Sequence, residues 1–315
     1  MLRQIIFKKN FYGSMKIYNN TNLNKDHLNG VIAIGNFDGI HLGHQKVINE
    51  AKKKAKIKKI PLGIMTFEPV PVMFFNPKIK HHRINSLKQK KIQLEKLNVD
   101  FLIIIKFNKV FSSLSAEQFI KKVIYNKTKC KFLFVSKNFR FGFKRKGNIQ
   151  TLKKFENLYD YKCLITKQFE KNNKIISSTL IRKKITLGSI LEVNKLLKRE
   201  WCIRGEVIKG EKRGRKIGFP TCNIKLKDYI VPRLGVYAVK IKGSNFNKKG
   251  IANIGYRPTF NGQSLLLETN IFGIKKNLYN KEINVNFIKF IRSEKKFKNL
   301  EHLKKQIKID LKKAK

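Results

Sequence analysis

The 315 residues predict two parts in series: a parallel α/β sheet, then a small β-barrel with a C-terminal helix. Three observations predict this. Apolar runs of strand length alternate with helical patterns through the first half. From Trp201 onward, short β-rich runs follow one another with no helix until residue 300. A glycine-rich turn, Gly35-Asn36-Phe37-Asp38-Gly39-Ile40-His41-Leu42-Gly43-His44, joins the first strand to the first helix.

In chain order, 31–34, 61–66, 101–105 and 132–135 read as buried strands, with helical patterns near 45–58, 86–97 and 115–125. Val47, Ile48, Ala51 and Ala55 recur at helical spacing in the first helix. Ser115 with Gln118 three residues later is a capping-box pattern. Such alternation predicts right-handed crossovers, with ligands beyond the carboxyl ends of the strands, where the glycine turn lies. Residues 183–200 mark a change of pattern and predict a connecting helix. Strands are then expected at 201–208, 221–225, 235–241, 250–254, 265–272 and 283–291, and a helix over 300–311.

The turn carries the chemistry of the first part. A strand that passes through glycines into a helix gathers backbone N–H groups and a positive helix end at one point, which suits a phosphate. His41 and His44 are three apart, so both imidazoles face one side of the first helical turn. Two such donors would stabilise charge on a departing pyrophosphate when an acceptor attacks the α-phosphorus of ATP. Gly43 would let the backbone approach the nucleotide. The alternatives are a zinc pair or plain surface histidines. Zinc needs three or four ligands, and no Cys or His cluster offers the others.

Composition sets limits. The four cysteines are scattered with no C-x-x-C, which argues against a disulfide framework or zinc site and fits a reducing cytoplasm. No apolar run is long enough for a membrane span, and Lys8 and Lys9 end the early Ile5-Ile6-Phe7 run before a signal-peptide core forms. Lys and Arg number 71 against 20 Asp and Glu, a net charge of +51. That excess fits either nucleic-acid binding or the Lys, Asn and Ile bias of an AT-rich genome. Its dispersal along the chain favours the second, so no specific nucleic-acid partner is expected.

Further segments carry candidate ligand residues. Thr66-Phe67-Glu68-Pro69-Val70-Pro71 follows the second strand. Asn138 and Arg140 follow the fourth, among Phe139 and Phe141, whose usual role is core packing. Ser177, Ser178 and Thr179 place three hydroxyls at a helix start, with Arg182 about one turn on; an N-cap explains only one of them. In the second part, Gly210, Gly214, Gly218 and Pro220 belong to a basic, glycine-rich loop able to wrap phosphates. Thr221 and Asn223 are hard oxygen donors on one strand face, as a Mg²⁺-nucleotide site requires. Glu268 is a carboxylate on a strand of an acid-poor chain, placed to accept a proton from an attacking hydroxyl.

These strings resemble the bacterial bifunctional riboflavin kinase/FAD synthetase family. Gly35, Phe37, Asp38, Gly39, His41, Gly43 and His44 match its nucleotidyltransferase motif, and 176–182 its I-S-S-T-x-I-R segment. Residues 210–223 resemble the kinase motif ending G-F-P-T-A-N, with Cys222 in place of Ala, and 253–260 resemble N-I-G-x-R-P-T-F. Val70 stands where the family has His, Ser136 for Gly and Asn138 for Asp.

The resemblance implies a Rossmann-like nucleotidyltransferase domain over 1–185 and a riboflavin kinase barrel over 186–315. Riboflavin and ATP would give FMN, and FMN and ATP would give FAD plus pyrophosphate, with Mg²⁺. It implies flavin contacts from Asn138, Arg140, Arg257, Thr259 and Arg292, with Glu268 as catalytic base. A cytoplasmic monomer or weak homo-oligomer is expected. Two other readings are a kinase whose synthetase segments have degenerated and a basic RNA-associated protein on the same fold.

Overall fold

The computed structural model describes residues 14–171, 174–210, 214, 217–259, 262–274 and 276–314, with backbone only at 171, 257–259, 262 and 263. By compactness the chain forms two units. One holds residues 1–36, 47–71 and 91–167, and the other 37–46, 72–90 and 168–315.

The first unit is built on a six-stranded parallel sheet of β1 (Lys16–Tyr18), β2 (Val31–Ile34), β3 (Leu62–Glu68), β4 (Phe101–Lys106), β5 (Phe132–Ser136) and β6 (Lys162–Thr166), ordered β1-β4-β3-β2-β5-β6. β2 to β4 read as unbroken apolar runs because both faces are covered; every residue of β2 is buried. The strand order reverses between β2 and β5, which makes the chain segments after Gly35 and after Ser136 the two that open at the switch point. The edge strands β1 and β6 were not expected. β1 has three residues, and β6 begins on a lysine, so neither shows an apolar run. The helix Leu42–Lys58 buries Val47, Ile48, Ala51 and Ala55, as its periodicity predicts. Ser115 and Gln118 form the expected capping box; the helix they start widens into π-type winding over Ile120–Thr128.

A short hairpin of β7 (Glu170–Lys171) and β8 (Lys174–Ile175) opens the last stretch of the second unit. The expected connector is two helices, Ser178–Thr186 and Ile190–Leu197. Six antiparallel strands then close into a barrel: β9 (Trp201–Ile208), β10 (Cys222–Lys225), β11 (Gly235–Lys242), β12 (Asn247–Thr259), β13 (Gly262–Ile271) and β14 (Glu282–Arg292), ordered β10-β13-β12-β11-β14-β9 and sealed by β9 on β10. Alternation in β9 and β14 sends every second side chain into a core centred on Trp201, Tyr237 and Phe287. The helix Leu300–Ala314 packs on β11, β12 and β14. β12 and β13 run further than expected, because Pro258 is accommodated opposite Gln263 instead of ending the strand.

Candidate active sites

The turn after β2 is held in an uncommon backbone. Phe37, Gly39 and Ile40 have φ of 45°, 85° and 39°. Left-handed geometry at a β-branched residue persists only where neighbouring bonds fix it. Gly39 N donates to Asn85 Oδ1 at 2.8 Å, and Gln45 Nε2 donates to Ile40 O at 3.0 Å. Arg199 donates to Gly39 O at 2.5 Å and to Ile40 O at 3.4 Å.

This turn brings the two histidines together as their spacing predicts. Their rings stack with centroids 3.7 Å apart, and Phe37, 1% exposed, lies 5.2 Å from the His44 ring. The expected nucleotide contact Phe37 therefore backs the histidine from inside. His44 N donates to His41 Nδ1 at 3.4 Å, which leaves the His41 proton on Nε2. Burial, and then the charges of Arg182 and Arg199, depress the His41 pKa to about 3. Burial and the cations around it push His44 well below its usual range as well. Both imidazoles are neutral at pH 7. His44 Nδ1 is buried and, among the described residues, has no hydrogen-bond partner.

Several expected ligand residues are engaged with the protein instead. The Asp38 carboxylate is turned inward, accepting from Ile84 N at 3.0 Å and from Arg182 Nη2 at 2.5 Å. Arg182 Nε donates to His82 O at 2.9 Å. Ser177 is the N-cap, its Oγ accepting from Leu180 N at 3.2 Å, and Ser178 Oγ donates to Asp38 O at 2.9 Å. Thr179 is exposed. Gly43 has a nearer reason than the nucleotide: a Cβ there would lie 2.9 Å from Ile176 O and 3.1 Å from the His41 ring. In the first unit, Gly35 N donates to Met65 O at 3.1 Å. Beyond β5, Asn138 and Arg140 are exposed while Phe141 is buried, stacked on Phe139 at 5.5 Å. Val70, where the family pattern has His, is 2% exposed and packs as a core residue.

On the barrel, Asn223, Glu268 and Asn253 are cross-strand neighbours on β10, β13 and β12, one row on the face opposite the Ile224, Leu267 and Ile254 row of the core. Asn223 Oδ1 and Asn253 Oδ1 are buried with no hydrogen-bond partner among the described residues. Gly210 makes room for this row, since a Cβ would come within 1.9 Å of Asn223 Nδ2. Thr221 is exposed just before β10, and Cys222 turns toward the barrel core, away from both donors. Phe219 N donates to Gly214 O at 2.8 Å, and Gly218 takes a φ of 88°. Gly218 and Pro220 line a cavity of about 1030 Å³ with Lys248, Asn270 and Phe272, and Pro220 O accepts from Asn270 Nδ2 at 2.7 Å.

Arg292, expected at the flavin, is ion-paired to the C-terminal helix. Its Nε lies 2.9 Å and its Nη2 2.7 Å from Asp310 Oδ2 on the C-terminal helix, and Asp310 is 1% exposed. The side chains of Arg257 and Thr259, and loop residues 211–213, 215 and 216, lie outside the described residues. Sequence reasoning missed Asn85, Arg199 and Asp310, and read Asn253 only as part of the 253–260 segment. A signal existed for Asp310, a rare acid on the apolar stripe of Leu303, Ile307 and Ala314; Arg199 offered none.

Both sites have counterparts in known sequences. Residues 23–180 match the FAD synthetase family model and 197–315 the riboflavin kinase model. A Buchnera aphidicola (Schizaphis graminum) protein named bifunctional riboflavin kinase/FMN adenylyltransferase is 43% identical over 295 residues, covering 92% of this chain and 94% of its own. The chain belongs to the bifunctional riboflavin kinase/FMN adenylyltransferase family. Family members of the same name from Bacillus subtilis and Escherichia coli K12 are 38% and 34% identical, over 93% and 89% of this chain and 93% and 90% of theirs. A Streptococcus pneumoniae crystal structure described as a macrolide-efflux protein shares the fold, with a TM-score of 0.84 and 30% identity over 96% of this chain and 98% of that one. Among the described residues no helix is long and apolar enough to cross a membrane. The chain is an enzyme carrying both family domains, one for riboflavin phosphorylation and one for FMN adenylylation.

Proposed function

We propose that the two reactions divide between the two sites described. The barrel phosphorylates riboflavin, and the histidine turn adenylylates the resulting FMN, with domain limits at 1–185 and 186–315. The observation that carries this is that each site holds stranded polar atoms. Among the described residues His44 Nδ1 at the turn, and Asn223 Oδ1 and Asn253 Oδ1 on the barrel, are buried without a hydrogen-bond partner, as atoms kept for a ligand would be.

At the turn, an FMN phosphate oxygen attacks the α-phosphorus of ATP while the α–β bridging P–O bond breaks. Charge accumulates on the leaving pyrophosphate. Neutral His41 and His44 meet it as hydrogen-bond donors, since neither holds a second proton to give at pH 7. The ion pair of Asp38 and Arg182 fixes the guanidinium beside them. Asn138 and Arg140 are the proposed FMN contacts of this half-reaction.

At the barrel, Glu268 takes the proton of the ribityl hydroxyl as its oxygen attacks the γ-phosphorus of ATP, and the bond from that phosphorus to the β–γ bridging oxygen breaks to release ADP. Thr221 and Asn223 offer the hard oxygens that Mg²⁺ favours, and the stranded Asn223 Oδ1 fits that ion; bound there it would neutralise phosphate charge. The cavity at Gly218 and Pro220 is large enough for the adenosine. Arg257, Thr259 and Arg292 remain the proposed flavin contacts, with Asp310 fixing the Arg292 guanidinium.

The test is a time course with riboflavin, ATP and Mg²⁺, resolving riboflavin, FMN and FAD by chromatography. FMN followed by FAD is expected. Glu268→Gln should cut FMN formation about 10²–10⁴-fold while FAD still forms from supplied FMN. A Glu268→Gln enzyme that phosphorylates riboflavin normally would remove the base assignment. FAD formation by the His41→Ala/His44→Ala double variant would remove the turn.

A further inference from the structure

The geometry points to Arg199 as a positioning residue for adenylyl transfer, although it lies within the segment matched by the riboflavin kinase model. The inference rests on the turn being the adenylylation site. Among the described residues every side-chain hydrogen bond of Arg199 goes to a backbone carbonyl: Gly39 O at 2.5 Å, Ile40 O at 3.4 Å and Leu197 O at 3.2 Å. Two of those carbonyls belong to the left-handed residues that aim the histidine pair.

Two guanidiniums flank the histidines, and they differ. Arg182 is neutralised by Asp38 at 2.5 Å. Among the described residues Arg199 has no carboxylate partner, and desolvation lowers its own pKa to about 10. A half-buried cation without a counter-charge is a poor way to stabilise a fold, because an apolar side chain would fill the space without desolvating a charge. It is a good way to tie three carbonyls to one group and to keep net positive charge beside a site for a polyphosphate. Gln45 Nε2 bridges the same Ile40 and Leu197 carbonyls at 3.0 and 3.2 Å, so the linker before β9 and the turn form one hydrogen-bonded plate. Trp201, two residues on, extends it by donating from Nε1 to Ile84 O at 2.9 Å, and Ile84 N in turn donates to Asp38.

The full-length chain supplies its own control, since both activities reside on it. Arg199→Gln should lower kcat for FAD formation from FMN and ATP about 10²-fold, the size of effect a small misplacement of donors produces. KM for ATP should move little, and riboflavin phosphorylation should stay within about twofold. Arg199→Lys keeps the charge but reaches fewer carbonyls, and should recover about tenfold of that loss. Adenylylation at the wild-type rate in Arg199→Gln overturns the proposal. So does a proportional fall of both activities with the melting transition. Should Arg199→Gln not fold, Arg199→Lys decides alone: a selective loss of adenylylation sustains the proposal and an unchanged ratio of the two activities ends it. His44→Ala separates the layers. If it keeps FAD formation, the turn is not the site; if it abolishes FAD formation while Arg199→Gln does not, only the role of Arg199 falls.

Discussion

Removing the Asp310 carboxylate tests how the C-terminal helix is fastened to the barrel. In Asp310→Ala, Arg292 loses contacts of 2.9 Å and 2.7 Å to Oδ2, and Gln306 Nε2 loses its acceptor at 2.9 Å. The Asp310 side chain is 1% exposed and that of Arg292 15%, so the guanidinium stays largely out of water without its counter-charge. Stranding one partner of a buried pair costs about 3–5 kcal/mol, and the residual access to water puts this case near 3 kcal/mol. For 315 residues at about 2.1 cal/mol/K each, that lowers Tm by roughly 4–5 °C. The chain has one tryptophan, Trp201, packed in the barrel core, so its fluorescence reports barrel unfolding directly. The double variant Arg292→Met/Asp310→Ala should be more stable than Asp310→Ala alone, because no charge is left stranded. A Tm shift under about 2 °C for Asp310→Ala, or a double variant less stable than the single, would refute the reasoning.

Three further outcomes are expected. Gly43→Ala forces a methyl toward Ile176 O at 2.9 Å and the His41 ring at 3.1 Å, so it should cost about 1–3 kcal/mol and lower adenylylation more than phosphorylation, as paired assays will read. Gly210→Ala drives a Cβ within 1.9 Å of Asn223 Nδ2, so phosphorylation should fall while FAD formation from supplied FMN persists. Protonation of His41 is suppressed in the folded state, to a pKa of about 3, whereas the unfolded chain binds that proton near pH 6.5. Stability from this group is therefore complete above pH 6.5 and declines as pH falls toward 3, by about 2 kcal/mol at pH 5. Melting curves at pH 7 and 5 should show this loss in the wild type and less of it in His41→Gln.

Periodicity and turn chemistry act between near neighbours, and what they govern was legible. The four long apolar runs, the Ser115 capping box, the six barrel strands and the shared face of His41 and His44 all follow from residues within one turn or one strand. The partners of the charged residues were not legible. Asp38 and Arg182 are 144 positions apart, and nothing local says that a carboxylate in a glycine turn will face inward. Arg292 looked like a ligand residue because its motif is a ligand motif; its partner sits 18 residues on, in a helix whose polar position on an apolar stripe was the clue. The histidine turn likewise gives no hint of Arg199, since its claim on Arg199 is made by carbonyls, which every residue has.

The separation of Gly39 from Arg199 also orders events during synthesis. The donor is made 160 residues after the acceptor, which at ribosomal speeds is about 8–32 s later. Through that interval the sheet strands around β2 have been made, and Gln45 already reaches Ile40 O, but Gly39 O still lacks its Arg199 donor. A half-translated chain thus lacks the clamp on its histidine turn, and a ribosome that stalls before residue 199 releases a protein without it.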